Sequence, residues 1–123
     1  MSSIQEDDIE VVEAGYEFLL AYAAQGRPPH EESSMPPPHA GPQLKDMLDA
    51  MQRVHEAVKD SADDFEQVIA EDTRKASAAV RFALAQSHMS SELVDNLNAS
   101  IHLRAVLTDF FLYSEKFRPQ SAS

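Results

Sequence analysis

The sequence predicts an all-α helical bundle, and three observations carry that prediction. From Gln43 to Arg118 the chain runs 76 residues without a glycine or a proline. At average usage about nine would stand in such a stretch. These residues punctuate hairpins, bulges and phosphate-cradling loops, so without them little remains but helices joined by short polar breaks. Apolar residues recur at spacings of three and four in every long segment, and no long stretch alternates with the period of a strand. Finally, 43% of the 123 residues are hydrophobic, enough for a modest packed core in one domain.

An N-terminal helix unit is expected over 1–25, frayed over 1–5 and helical from about Glu6 to Gln25. Ile9, Val12, Tyr16, Leu19, Leu20 and Ala23 share one face. Glu6, Asp7, Asp8 and Glu10 crowd the first turn, where the helix dipole favours anions. Gly26 followed by Arg27-Pro28-Pro29 ends it. Residues 26–42 hold six of the seven prolines and read as an extended, mobile linker.

The next helix begins at Pro42, a good first-turn residue. Leu44, Met47, Leu48, Met51, Val54 and Val58 form its stripe, and the register runs on through Phe65, Val68, Ile69, Ala76, Ala79 and Ala83. With no Gly or Pro to interrupt it, one helix over about 43–88 is expected. The competing reading breaks it near Asp60-Ser61, where Ser61-x-x-Asp64 resembles a capping box. Ser90 or Ser91 then caps a helix over about 90–117, with Met89 and Val94 placed for a hydrophobic staple. Leu93, Leu97, Ile101, Leu107, Phe110, Phe111 and Phe117 carry its apolar face. Between Ala105 and Tyr113 it is apolar nearly all round, which requires cover on more than one side. The expected architecture is a long helical hairpin forming the core over 43–118, an N-terminal helix, a disordered tail at 119–123, and homodimerisation to complete the core.

Charge narrows the partners. Twenty-one acidic residues against ten basic give a net charge of −11. The first 45 residues carry eight acids and two bases, residues 46–72 nine acids and two bases, and the remainder four acids and six bases. Such a surface disfavours nucleic-acid backbones and anionic membranes, so neither is expected as a partner, and it favours a protein with a basic surface. The longest purely apolar run, Phe18 to Ala24, is too short to span a bilayer. The first residues lack the basic and apolar regions of a signal peptide, so a cytoplasmic setting is expected.

Catalytic and metal chemistry find little support. There is no cysteine, so disulfides, thiolate metal sites and cysteine nucleophiles are excluded. His30 and His39 fall in the linker. Gln52, Ala85 and Ala99 stand three residues before His55, His88 and His102, so the Glu-x-x-His pattern of di-iron bundles is missing. No metal, cofactor or enzymatic activity is expected. The carboxylate groups Asp46/Asp49, Asp60/Asp63/Asp64 and Glu71/Asp72 fall on a polar helix face, and Asp60, Asp63, Asp64, Glu66 and Glu71 are expected to be solvent-exposed, with little effect on stability.

The run Val54-His55-Glu56-Ala57-Val58-Lys59-Asp60-Ser61-Ala62 resembles the motif of histidine phosphotransfer domains, acidic four-helix proteins with an exposed helical His followed three residues later by Lys and then Gly. Here Lys59 is four residues on and Asp60 stands at the small position. The resemblance implies His55 as a phosphoryl acceptor with Lys59 beside it.

The leading functional expectation is a non-enzymatic, acidic protein-interaction module of the regulator, adaptor or chaperone type. Leu107, Phe110 and Phe111 are its candidate interaction residues. Two alternatives stand beside it: phosphotransfer at His55, and a small-molecule binder with an inter-helix pocket lined by Met47, Met51, Phe65, Phe110 and Phe111.

Overall fold

Five α-helices and a 3₁₀ turn account for most of residues 4–29, 37 and 39–118, which the computed structural model describes. They are α1 (Glu6–Ala23), α2 (Ala40–Val58), α3 (Asp64–Leu84), α4 (Ser91–Ala99) and α5 (Ile101–Tyr113), with the 3₁₀ turn at Ser114–Phe117. The fold is all-α, as the periodicity predicts, with no β-strand among the described residues. The tail at 119–123, residues 1–3 and most of the Pro-rich stretch (30–36 and 38) lie outside the described residues.

Residue pairings give the topology. Asp8 of α1 meets Arg53 of α2 at 2.9 Å, and Gly15 meets Met47, so α1 and α2 run antiparallel. His55 of α2 meets the Ala70 carbonyl of α3, and Glu66 of α3 meets Tyr113 of α5. Near the other end of the bundle, Ser91 bonds to the Tyr22 carbonyl that closes α1. This is an up-down-up-down four-helix bundle whose fourth helix is split into α4 and α5. Ile9, Val12, Leu19, Leu44, Met47, Met51, Val54, Ile69, Val80, Leu103, Val106 and Phe110 fill the centre with almost no exposure. Gly15 is required there, because a Cβ at that position would stand 2.3 Å from Met47 Cγ.

The helix expected over 43–88 is two helices. Polar side chains replace the missing glycine and proline as its breakers. The Asp63 carboxylate accepts from the Glu66 N–H at 2.9 Å and caps α3. The Gln67 amide donates to the carbonyls of Val58, Lys59 and Ser61, at the C-terminus of α2 and in the turn that follows it. The expected 90–117 helix also breaks. Ser100 adopts an extended conformation (φ −63°, ψ 143°), ends α4, and caps α5 by accepting from the Leu103 N–H. At the other junction α2 begins at Ala40 rather than Pro42, which leaves Pro42 in the first turn, where its missing N–H costs nothing.

Several residues depart from their expected places. Leu20, Val68 and Ile101 lie on exposed sides of their helices rather than in the core. Arg27 opens the expected linker, yet it is docked. Its N–H donates to Ser91 Oγ at 2.6 Å, its carbonyl accepts from the Ser91 N–H, and its guanidinium sits over the Tyr22 ring.

Glu66 is buried, against the expectation that it faces solvent. Ser61 Oγ and Tyr113 Oη donate to its two carboxylate oxygens at 2.6 and 2.5 Å. These two hydrogen bonds hold its carboxyl below the usual carboxylate range, outweighing the opposing effect of burial. On the same α3–α5 seam, Asp109 is buried and its Oδ2 has no partner among the described residues. Burial, a hydrogen bond with Asp72 and the charge of Asp72 push its carboxyl up to about 8.

Candidate functional site

The outward side of α5 presents an exposed apolar surface. Its inner positions Leu103, Val106, Phe110 and Tyr113 are buried, while Ile101, Phe111 and Leu112 are 75%, 69% and 53% exposed. A helix this apolar on its solvent side does not arise from the bundle's own packing needs.

Beside it runs α1. Tyr16, Glu13, Glu17, Leu107 and Phe111 line a furrow of about 400 Å³ between the two helices. It continues into a depression of about 240 Å³ lined by Tyr16, Leu20, Asp95, Asn98, Ala99 and Arg104. Tyr16 belongs to both. The floor is therefore a strip of Leu20 and Tyr16 from α1 and Leu107 and Phe111 from α5, spaced four residues apart on each helix and so on one face of each. Because α1 and α5 are antiparallel, the strip runs from Leu20 and Arg104 at one end to Glu13 and Phe111 at the other.

Two polar features complete the furrow. Asn98 is buried, and neither its amide nitrogen nor its oxygen has a partner among the described residues. Such an amide costs stability when left alone and offers both a donor and an acceptor to an arriving chain. The α1 wall carries Glu10, Glu13 and Glu17. Partial burial, then repulsion from Glu10 and Glu17, raises the Glu13 carboxyl above its ordinary value. A cation placed along this wall relieves that repulsion.

The candidates read from the sequence separate clearly. Phe111 is on the surface and Leu107 is half-buried at the furrow floor, but Phe110 is fully buried and belongs to the core. The set Met47, Met51, Phe65, Phe110 and Phe111 does not converge on a pocket: Met47, Met51 and Phe110 are core, and Phe111 faces out across α5. His55 is half-buried, its Nδ1 at 2.9 Å from the Ala70 carbonyl. Lys59 bonds to Glu56 instead of lying along His55. Sequence reasoning missed Tyr16, Leu20 and Asn98 as surface-forming residues. The first two fit the inward stripe of α1, and nothing in the spacing marks them as its edge.

No helix among the described residues is long and apolar enough to cross a membrane. Among the same residues no three His, Asp or Glu side chains gather as a metal site would require. Comparison with protein families, curated proteins and solved structures gives no match for this chain.

Proposed function

We propose that the chain is a non-catalytic interaction module that holds a basic, amphipathic helical segment of a protein partner along the α1–α5 furrow. The observation that carries this reading is the furrow itself: an apolar strip beside an acidic wall, with Leu20 47% and Phe111 69% exposed. A docked helix places apolar residues at i, i+3, i+4 and i+7 on the strip and its lysines or arginines on the wall. The unpaired amide of Asn98 supplies a polar anchor at one end. The homodimer expected from sequence would use the same face. Pairing two copies brings two chains of net charge −11 together, whereas a basic helix answers that charge.

A dye-labelled synthetic helix with leucines at i, i+3, i+4 and i+7 and lysines elsewhere tests the proposal by fluorescence anisotropy. Saturable binding that weakens with salt is expected. Phe111→Glu, at an exposed site, should weaken it roughly tenfold or more. Glu13→Lys with Glu17→Lys should weaken it and flatten the salt dependence. Binding that ignores these substitutions, or none at all, contradicts the reading. Sedimentation of the chain alone separates the other occupant: a dimer dispersed by Phe111→Glu would give this face to a second copy.

A further inference from the structure

A second site lies between α2 and α3, away from the furrow. Gln52, His55 and Glu56 of α2 and Arg74, Ser77 and Arg81 of α3 line a groove of about 400 Å³. Arg74, Ser77 and Arg81 stand at i, i+3 and i+7, one face of one helix. Neither guanidinium has an ion-pair or hydrogen-bond partner among the described residues. That is unexpected in a chain with twice as many acids as bases, where a neutralising carboxylate is the cheap solution. Ser77 is 3% exposed, and its hydroxyl has no partner there either. The one acid of the lining, Glu56, is already held by Lys59, with both carboxylate oxygens at 3.0 Å from Nζ. The groove therefore keeps the two positive charges of its arginines.

The histidine is also pre-set. A carbonyl only accepts, so Nδ1 carries the hydrogen of its bond to Ala70, and Nε2 is the free ring nitrogen. Protonated, it donates as well. Donors thus come from both walls: two guanidiniums, the Gln52 amide, the imidazole and, at the floor, the Ser77 hydroxyl. A carboxylate has one charge and two oxygens, and one arginine satisfies it. A phosphate monoester carries two charges and three terminal oxygens, and it can draw both arginines inward at once. The groove has room for a small organic group beyond the phosphate.

From this arrangement we infer that the α2–α3 groove binds a small, soluble phosphomonoester, with Arg74 and Arg81 clamping the phosphate and Ser77, Gln52 and His55 completing its hydrogen bonds. The site is independent of the partner-binding furrow. The buried Ser77 hydroxyl, which has no partner among the described residues, is the donor at the groove floor.

Titration calorimetry and amide NMR of the full chain test this, with inorganic phosphate and glycerol 2-phosphate as probes and chloride and acetate at matched ionic strength as controls. Both phosphates should bind saturably and shift amides within 52–56 and 74–81. The Arg74→Ala, Arg81→Ala double variant changes only exposed side chains, and it should lose affinity by roughly tenfold or more. Ser77→Ala should weaken phosphate binding while leaving the free protein at least as stable, because the hydroxyl has no partner to lose. Phe111→Glu should leave phosphate binding unchanged, so failure here and failure of the furrow are read separately. Acetate binding as tightly as phosphate, a response no larger than that of chloride, or unchanged affinity in the double arginine variant overturns the inference.

Discussion

Glu66 and Asp109 are buried on the same seam between α3 and α5, yet their carboxyls move in opposite directions. Glu66 is met by two hydroxyl donors, from Ser61 and Tyr113, which favour its charge. Asp109 is met by another acid, Asp72, and two carboxylates in contact do not both ionise. Burial alone therefore fixes neither protonation state; the facing groups do. The pH consequences are opposite too. The lowered Glu66 contributes stability that is present above its unfolded value and lost as pH falls through its folded one. The raised Asp109 stays protonated in the folded chain while the unfolded chain ionises. Its contribution is complete below an ordinary Asp value of 3.8 and is lost as pH rises toward about 8.

The largest effect expected on this pair is from Glu66→Ala, which removes the buried acceptor shared by the Ser61 and Tyr113 hydroxyls and should cost about 3 kcal/mol in urea unfolding at neutral pH. A cost below 0.5 kcal/mol, the ordinary surface value, would return Glu66 to the exposed face that the sequence suggests. Next comes Asp109→Asn, which keeps the shape and removes the charge. It should raise stability at pH 8.5 by about 2 kcal/mol, leave it little changed at pH 4, and flatten the decline between the two. A decline of unchanged slope in the variant would show that Asp109 is not the titrating group. Tyr113→Phe should cost about 1.5 kcal/mol, and in a double-mutant cycle with Glu66→Ala the two losses should be clearly less than additive. Asp63→Ala, removing the α3 cap, should cost about 1 kcal/mol, while Asp60→Ala, at an exposed side chain outside the network, should stay within 0.5 kcal/mol.

The same contrast shows what the sequence could reveal. The helical class, the start of α1, the Ser90 cap and the core stripe of α2 were legible because periodicity and caps are local signals. The break before α3 was half-legible. Ser61-x-x-Asp64 pointed at the right turn, but the capping pair is Asp63 with Glu66, and Ser61 instead holds the Glu66 side chain. The apolar register continues across this turn because α3 packs back on α2, so the periodicity shows no phase shift there. Glu66 and Asp109 were invisible as buried groups. Tyr113 lies 47 positions from Glu66 and Asp72 lies 37 from Asp109, and no spacing rule reports a contact at that range. The sequence shows α5 as apolar nearly all round, and only the structure assigns Phe110 to the inner face and Phe111 to the outer. The α2–α3 groove needed both helices in place before Arg74 and Arg81 could be seen to share a cleft with His55.

The furrow between α1 and α5 is the centre of the functional account, and a binding footprint tests it most directly. In methyl and amide NMR of the full chain titrated with the basic leucine-lysine helix, the account predicts shifts at Leu20, Leu107 and Leu112, at the amides of 13–20 and 104–112, and at the Asn98 side-chain amide. Shifts gathered instead around exposed Phe82 and the α3–α4 groove that it lines, with α1 and α5 unmoved, would contradict it.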